Sequence, residues 1–330
     1  MIGPIPPTKN LKNTNIMKKV IFALAAVVAL AACSKEQTVV ADRGDAIGFG
    51  TPFVENSTRV DYSTPGALKK FNVYGTVTGT AGTVNIYNGV EVTGTVGSAD
   101  WSHAEQYNQY WIPGADYDFA AIVDATVASD DANDMPLTLT TQADTATEGN
   151  MNLKDMLYAS EQVENATANQ GRVNFNFAHL LSKVKFTVTS NAMGGYYHTV
   201  TGIKVSNFET GTYTINGGTW AGVTAKDVVF APIAEVTSAT GAKTNAEMLL
   251  VPNAAAFNVT FTVDLYKGTT KLGTETKTIP VTIKDAQDNV VGLQKGNSYN
   301  FTIACSVGNP IKFGVTNDPS WGDTTDVTIQ

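Results

Sequence analysis

The stretch VNFNFAHLLSKVKFTV (residues 173–188) decides the fold, because it combines two strand patterns with a short interruption. Val184, Phe186 and Val188 alternate with polar residues, which is typical of a strand with one buried and one solvated face. A similar alternation precedes the interruption, which we place at residues 178–182. We therefore expect two consecutive strands with a domain boundary between them.

The same period-two alternation recurs on both sides of this boundary. It is found in FNVTFTVDLY (257–266) and TKTIPVTIKD (276–285). TVNIYNGVEVTG (83–94) is typical of a β-hairpin with Asn88-Gly89 at a type I′ turn. Residues 150–166 form the single long helical candidate, and its periodicity is weak. These patterns predict an all-β protein built from antiparallel β-sandwiches.

A secretory signal is predicted near the start of the sequence. Met17 is followed by two lysines, an apolar run of about 13 residues and LAAC at residues 30–33. This is the pattern of a signal peptide, and the run is too short for a comfortable membrane-spanning helix. LAAC matches a lipobox, so we expect cleavage before Cys33 and diacylglycerol on its thiol, with Met17 as the initiator. The alternative is an ordinary signal peptide with an incidental cysteine.

The stretch AIGFGTPFV (46–54) is predicted to be a short strand. Ile47, Phe49 and Phe53 fall on one face, while glycines and Pro52 fall on the other. Proline donates no backbone hydrogen bond, so the strand should lie at an edge or an end of a sheet. We expect the three apolar side chains to plug a hydrophobic groove.

Arg59 follows this strand after small polar residues, and an exposed arginine in such a sequence suits a trypsin-like protease. Cleavage there would free Val60 and would remove the strand together with the lipid anchor. A strand of another chain could then enter the open groove by β-augmentation. The alternative is that Arg59 is an ordinary surface arginine.

These features predict how the chain is divided. The signal segment occupies residues 1–33, with the signal start and lipobox at 17–33, and the N-terminal pro-segment occupies residues 34–59. Two β-sandwich domains follow, at residues 60–180 and 181–330. Each is of ordinary domain size.

The formal charge of the chain is −8, and the signal region masks part of the acidity. Without residues 1–32, 18 basic and 30 acidic residues remain, for a charge of about −12. An acidic surface argues against nucleic-acid binding and against electrostatic docking on anionic lipid, so we expect the acyl group to be the membrane link. With Cys33 lipidated, Cys305 has no disulfide partner and is predicted to be a buried, inert thiol.

No catalytic or metal-binding motif is found in the sequence, which lacks HExxH, CxxC, GxSxG and a P-loop. We therefore expect neither an enzyme nor a cofactor, and no metal site. His179 is in phase with the apolar residues Val173, Phe175 and Phe177, so a buried structural histidine is predicted.

Two weaker features leave alternatives open. Aspartates in the predicted long loop 124–149 could bind calcium, although the EF-hand spacing is absent and a solvated acidic loop is the default. Trp101, Tyr107, Tyr110 and Trp111 could stack on sugar rings, or could instead cover the edge of a core.

Several segments together resemble the fimbrillin family, which comprises the type V pilins and their fimbrillin-like relatives. The most specific is residues 173–188, which resembles the family junction F-x-F-x-H-x-L-S-K-V. The other segments are the lipobox cysteine, the I-x-F strand with Thr58-Arg59, KDMLYAS (154–160), SYNFTIACS (298–306) and Trp321.

This resemblance implies two transthyretin-like β-sandwich domains in tandem, in a precursor that reaches the outer membrane as a lipoprotein. It implies cleavage after Arg59 by an arginine-specific protease, and polymerisation with other fimbrial subunits by strand exchange at the cell surface. His179 would be a structural residue at the domain junction. Arg43 is a second possible cleavage site, but it precedes the strand, so cutting there would not remove it.

We therefore predict a structural and adhesive fimbrial subunit. The alternative is a surface lipoprotein that stays anchored and binds glycans or a host receptor through loops such as 101–111. Processing distinguishes the two, because an anchored binder keeps residues 34–59 and a pilin loses them.

Overall fold

The structure is a computed structural model that describes residues 44–54, 68–95, 101–144, 152–253, 255–285 and 287–318. The predicted signal segment, Cys33 and Arg59 lie outside the described residues. Within the described residues, no helix has the length and apolar character needed to cross a membrane.

The predicted all-β class is confirmed, since the described residues form strands and a single short 3₁₀ helix, Glu105–Tyr107. In chain order the strands are β1 (Phe53–Val54), β2 (Lys70–Gly79), β3 (Gly82–Thr93), β4 (Asp116–Val123), β5 (Ala125–Asp130), β6 (Pro136–Thr141), β7 (Ala143–Asp144), β8 (Asn152–Leu153), β9 (Leu157–Val163), β10 (Asn176–His179), β11 (Ser182–Ser190), β12 (Tyr196–Phe208), β13 (Gly211–Thr214), β14 (Thr219–Gly222), β15 (Ala225–Val229), β16 (Ile233–Val236), β17 (Lys243–Thr244), β18 (Met248–Leu250), β19 (Phe257–Lys267), β20 (Thr270–Val281), β21 (Ser298–Cys305) and β22 (Lys312–Asp318).

The first half of the chain is organised around a six-stranded sheet with the order β1-β10-β9-β4-β2-β3. Its apolar faces alternate as the sequence predicts, and they surround a core that is rich in aromatic rings. Phe71, Phe119 and Phe175 lie at the centre of this core, and each is at most 2% exposed.

The second half forms a sandwich of two sheets, which enclose a second core. One sheet has the order β17-β11-β21-β22 with β18 beside β11, and the other has the order β15-β12-β19-β20 with β16 beside β12. Val184, Phe186 and Val188 are fully buried between them, as their alternation predicts. The pair β11 and β21 is parallel, so this sheet is mixed and not purely antiparallel.

The two halves also share structure. The sheet β14-β13-β6-β5 takes two strands from each half, and a third apolar cluster includes Ile122, Leu180 and Tyr213. The predicted pair of strands around the interruption is confirmed, because β10 ends at His179 and β11 begins at Ser182. Leu180 and Leu181, which form the link, are buried in the shared cluster.

Three local predictions are wrong. The helical candidate 150–166 contains the strands β8 and β9, because β9 pairs with β4 and β10 and the sheet overrides a weak helical period. Asn88-Gly89 is not a hairpin turn but a bulge inside β3, where Gly89 has φ +65° and the register with β2 shifts. The predicted long loop 124–149 contains the strand β5, which pairs with β6, and the short strand β7.

Candidate functional site: the groove of the N-terminal segment

The described chain begins with residues 44–54, which we call the N-terminal segment. This segment lies in a groove whose walls are residues 101–111 on one side and residues 168–177 on the other. The groove is the place where the predicted plug enters the fold, so its contacts decide whether the plug could be exchanged.

One wall pairs with the segment in parallel. The Gly50 amide donates to the Val173 carbonyl at 2.9 Å, and the Val173 amide donates to the Gly48 carbonyl at 2.9 Å. Further along, the Phe53 amide donates to the Phe175 carbonyl at 2.9 Å. The segment is therefore added to the first sheet as a strand, and β1 is its end strand, as Pro52 predicts.

The other wall binds the start of the segment in the antiparallel sense. The Ile47 amide donates to the Gln109 carbonyl at 2.8 Å, and the Trp111 amide donates to the Asp45 carbonyl at 3.1 Å. Phe49 also forms an antiparallel bridge with Trp101. The backbone of the segment is thus bonded along both edges, and such bonds do not depend on side-chain identity.

Two of the predicted plug residues point into the first core. Ile47 is 3% exposed and Phe49 is 1% exposed. The Phe49 ring stacks on Phe175 at a centroid distance of 6.0 Å and meets Tyr87 edge-on at 5.7 Å. Burying two large apolar side chains stabilises the docked segment by about 3–6 kcal/mol before entropy costs.

The prediction that Phe53 is the third buried residue of the plug is wrong, because its side chain is 63% exposed. Phe49 pairs with Val173 while Phe53 pairs with Asn176, so four steps along the segment match three steps along its neighbour. The extra residue reverses the alternation, since the side-chain period of a strand is two. Val54, which is 7% exposed, takes the inward position instead.

Glycines let the segment lie close to its walls. A Cβ atom on Gly44 would lie 2.5 Å from the Ala168 carbonyl oxygen and 2.7 Å from the Trp111 carbonyl oxygen. A Cβ atom on Gly48 would meet the Arg172 side chain at an ordinary 3.5 Å. The close approach at Gly44 therefore requires glycine, while the approach at Gly48 does not.

Arg172 and Asn174 were not identified from the sequence as groove residues. The Arg172 guanidinium donates to the Phe49 carbonyl at 3.2 Å, and a Cβ atom on Gly50 would lie 2.0 Å from the Asn174 Oδ1 atom. In the sequence, Arg172 and Asn174 alternate with the buried Val173 and Phe175, which predicts that they lie on the other face of the strand. This alternation does not predict that they contact the N-terminal segment.

The predicted structural histidine is buried at 4% exposure, and its Nδ1 atom lies 3.0 Å from an Asp155 carboxylate oxygen. Asp155 is itself 2% exposed and was not predicted as a partner. Another histidine, His198, is also buried, with Nδ1 at 2.8 Å from the Ser190 hydroxyl, and burial lowers its pKa. Burial likewise raises the pKa of the Cys305 thiol to about 11.

The aromatic stretch 101–111 divides into two kinds of residue. Trp101 and Trp111 are at most 3% exposed and belong to the first core. Tyr107 and Tyr110 are 43% and 41% exposed. Trp101 and Trp111 therefore cover the edge of the core. Of these four aromatic residues, Tyr107 and Tyr110 are the two that a ligand could contact.

Two aspartates of the predicted loop 124–149, which could have bound calcium, accept hydrogen bonds from the protein itself. Asp131 accepts hydrogen bonds from the backbone amides of Asn133 and Met135, at 2.8 and 3.1 Å, and so closes its own turn. The Asp134 carboxylate accepts a hydrogen bond from the side-chain Nδ2 of Asn85 at 2.9 Å. Across the described part of the chain, no group of three metal-ligating side chains is present.

Residues 58–319 match the Fimbrillin-like family by sequence. The structure is similar to a fimbrial protein from Bacteroides vulgatus ATCC 8482, with TM-score 0.59 and 17% identity over 84% of this chain and 99% of that one. It is also similar to a "putative cell adhesion protein" from Bacteroides uniformis ATCC 8492, with TM-score 0.50 and 16% identity over 86% and 100% of the two chains. No curated protein matches the sequence. Since the family match spans most of the chain and the shared fold agrees with it, the protein belongs to the fimbrillin-like family, as its sequence segments predicted.

Proposed function

We propose that the chain is a structural and adhesive fimbrial subunit, exported as an outer-membrane lipoprotein precursor with its lipid on Cys33. In this proposal an arginine-specific protease cuts after Arg59 and releases residues 34–59 with the anchor. Other fimbrial subunits then supply a strand to the emptied groove, and the subunit becomes part of a fimbrium. The role is mechanical, and no catalytic step or cofactor is assigned to it.

The observation that carries this proposal is the way the N-terminal segment is held. Its backbone is bonded on both edges, and Ile47 and Phe49 fill positions in the first core. Loss of the segment would expose those core positions and leave the groove-wall amides and carbonyls unpaired, which is costly. A strand from another chain with large apolar residues two positions apart would satisfy both needs.

We propose that the processed body consists of two transthyretin-like domains, at residues 60–180 and 181–330. The division is supported by the two separate cores, which use residues up to Phe177 and from Val184 onward. The shared sheet and cluster between them would keep the two domains in one rigid subunit.

The experiment that tests the proposal uses a soluble Cys33→Ser precursor and a limiting amount of an arginine-specific protease. We expect a new N-terminus at Val60, followed by ladders of polymer that resist SDS. The matched controls are Arg59→Gln, which should prevent both events, and Arg43→Gln, which should prevent neither. Cleavage at Val60 that leaves only monomers would contradict polymerisation, and resistance of Arg59 to cutting would contradict processing.

The second candidate function is a surface lipoprotein that stays anchored and binds glycans or a host receptor. It is favoured by the exposure of Tyr107, Tyr110 and Ile112, which are 43%, 41% and 54% exposed on one stretch. Retention of residues 34–59 on the cell surface, together with loss of ligand binding in Tyr107→Ala, would support this function over the first.

A further inference from the structure

A cavity of about 600 Å³ lies in the second half of the chain, away from the groove of the N-terminal segment. Strand β14 forms one side of it, and the stretches that follow β18 and precede β21 form the other. Its lining includes Phe208, Trp220, Pro252, Asn253, Gln294 and Lys295. The volume is in the range of sites that hold small ligands.

Two glycines make room for the aromatic lining. Gly211 and Gly222 are directly opposite each other on β13 and β14, so their missing Cβ atoms belong to the same face. A Cβ atom on Gly222 would lie 2.2 Å from the Phe208 ring, and one on Gly211 would lie 2.9 Å from the Trp220 ring. Side chains larger than glycine at positions 211 and 222 would therefore overlap the two rings. Together the Phe208 and Trp220 rings give the cavity an apolar surface.

The aromatic surface is held in place from behind. The Trp220 ring packs on Tyr213 at a centroid distance of 5.3 Å, and Tyr213 is 4% exposed. On the opposite side, the Asn253 and Leu293 backbones bond each other in both directions, at 3.0 and 2.9 Å. A cavity whose sides are fixed in this way is preorganised for a ligand.

The cavity has one charged lining residue, Lys295. Its ammonium donates to the Tyr213 hydroxyl at 2.7 Å, which positions it, and no carboxylate lies within ion-pair distance of it among the described residues. The side chain is exposed, so its remaining donors are available. The ammonium also lies 5.1 Å from the centroid of the Tyr213 ring, so Tyr213 holds this cation at the side of the cavity.

We propose that this cavity binds a carbohydrate that carries a carboxylate, such as a uronic acid unit of a polysaccharide. Trp220 and Phe208 would contact the apolar face of the sugar ring, which matches the flat surface of an aromatic side chain. Lys295 would bind the carboxylate by a charge-assisted hydrogen bond. Asn253 Nδ2 and Gln294 Oε1 would bond hydroxyl groups, because Asn253 Oδ1 already accepts from the Ala255 amide and Gln294 Nε2 already donates to the Val291 carbonyl. The site does not depend on strand exchange, because none of its residues belongs to the groove.

The test uses the full Cys33→Ser precursor and two probes, α-1,4-digalacturonate and α-1,4-galactobiose, which differ only in having carboxylate or hydroxymethyl groups. Binding is measured by saturation-transfer NMR and calorimetry. We expect digalacturonate to bind at least about tenfold more tightly than galactobiose, as for a hydrogen bond to a charged group. Lys295→Gln should remove this preference, and Trp220→Ala should weaken the binding of both sugars.

The controls separate this site from the others. Lys226→Gln, which removes a lysine outside the cavity, and Tyr107→Ala, which alters the 101–111 stretch, should leave both affinities unchanged. Circular dichroism and the thermal midpoint show whether each variant is folded, and Trp220→Phe is a milder replacement should Trp220→Ala unfold. Equal affinity for the two sugars, or binding of digalacturonate that persists unchanged in both Lys295→Gln and a folded Trp220 variant, would overturn the proposal, as would the absence of binding to the parent.

Discussion

Phe49 and Phe53 lie four residues apart in one extended segment, and the first is 1% exposed while the second is 63% exposed. An uninterrupted strand would place both on the same face, because its side chains alternate with a period of two. The extra residue opposite residues 173–176 separates them. The docked segment is therefore anchored by Ile47, Phe49 and Val54, and Phe53 faces solvent.

Phe49→Ala should lower the free energy of unfolding of the Cys33→Ser precursor by about 3–5 kcal/mol, since it leaves a cavity in an aromatic core. Phe53→Ala is the matched control, and it should change the stability by less than about 0.5 kcal/mol because the ring is exposed. Urea denaturation measures both. Equal losses for the two variants would contradict the reversed alternation.

Gly44→Ala should weaken the docking of the N-terminal segment by about 1–3 kcal/mol, because the new Cβ atom meets two backbone carbonyl oxygens that cannot rotate away. Gly48→Ala should be tolerated, since its Cβ atom meets only the flexible Arg172 side chain at 3.5 Å. Hydrogen exchange of the Ile47 and Gly50 amides reports the docking. Unchanged protection in Gly44→Ala would be the contrary result.

The buried His198 should make the protein less stable at acidic pH. Its folded pKa is lowered by burial, so the unfolded chain binds the proton first as the pH falls below the ordinary value of 6.5. The stability contributed by the neutral imidazole is present above pH 6.5 and is lost as the pH falls towards the folded pKa. Thermal midpoints measured from pH 8 to pH 5 should fall more steeply in the parent than in His198→Gln.

The difference in slope between the parent and His198→Gln isolates the contribution of His198, because the two proteins differ in that one side chain. A His198→Gln variant with the same slope as the parent would show that other groups cause the acid sensitivity.

Cys305 should be unreactive in the folded protein. Its side chain is 2% exposed, and burial raises its pKa to about 11, so little thiolate forms at pH 8. In the Cys33→Ser precursor it is the sole thiol, since the chain has two cysteines. Alkylation by iodoacetamide, followed by mass spectrometry, should require unfolding in urea. Rapid labelling of the native protein would contradict the buried position.

The core faces of the strands could be predicted from the sequence, because apolar alternation is a local property. Val184, Phe186 and Val188 on β11 are fully buried, and Tyr299, Phe301 and Ile303 on β21 are buried in the same way. The burial of Ile47, Phe49 and His179 followed from the same argument. The family could also be identified, since its junction segment is a local pattern.

Partners and bulges could not be predicted in this way. The partner of His179 is Asp155, 24 residues earlier, and the walls of the groove come from stretches more than 45 residues away from the N-terminal segment and from each other. The prediction of a hairpin turn at Asn88-Gly89 is wrong because a glycine with positive φ suits both a turn and a bulge. The opposing strand β2 selects the bulge.

The sequence by itself determined that this protein is an all-β member of the fimbrillin-like family, with strands whose apolar faces can be read from their alternation. Only the tertiary structure decided that Val54 and not Phe53 points inward, that β11 pairs with β21 in parallel, and that a glycine pair shapes the cavity beside Trp220. The physical reason is that alternation depends on each strand alone. Register, pairing direction and close approach depend on backbone contacts between distant parts of the chain.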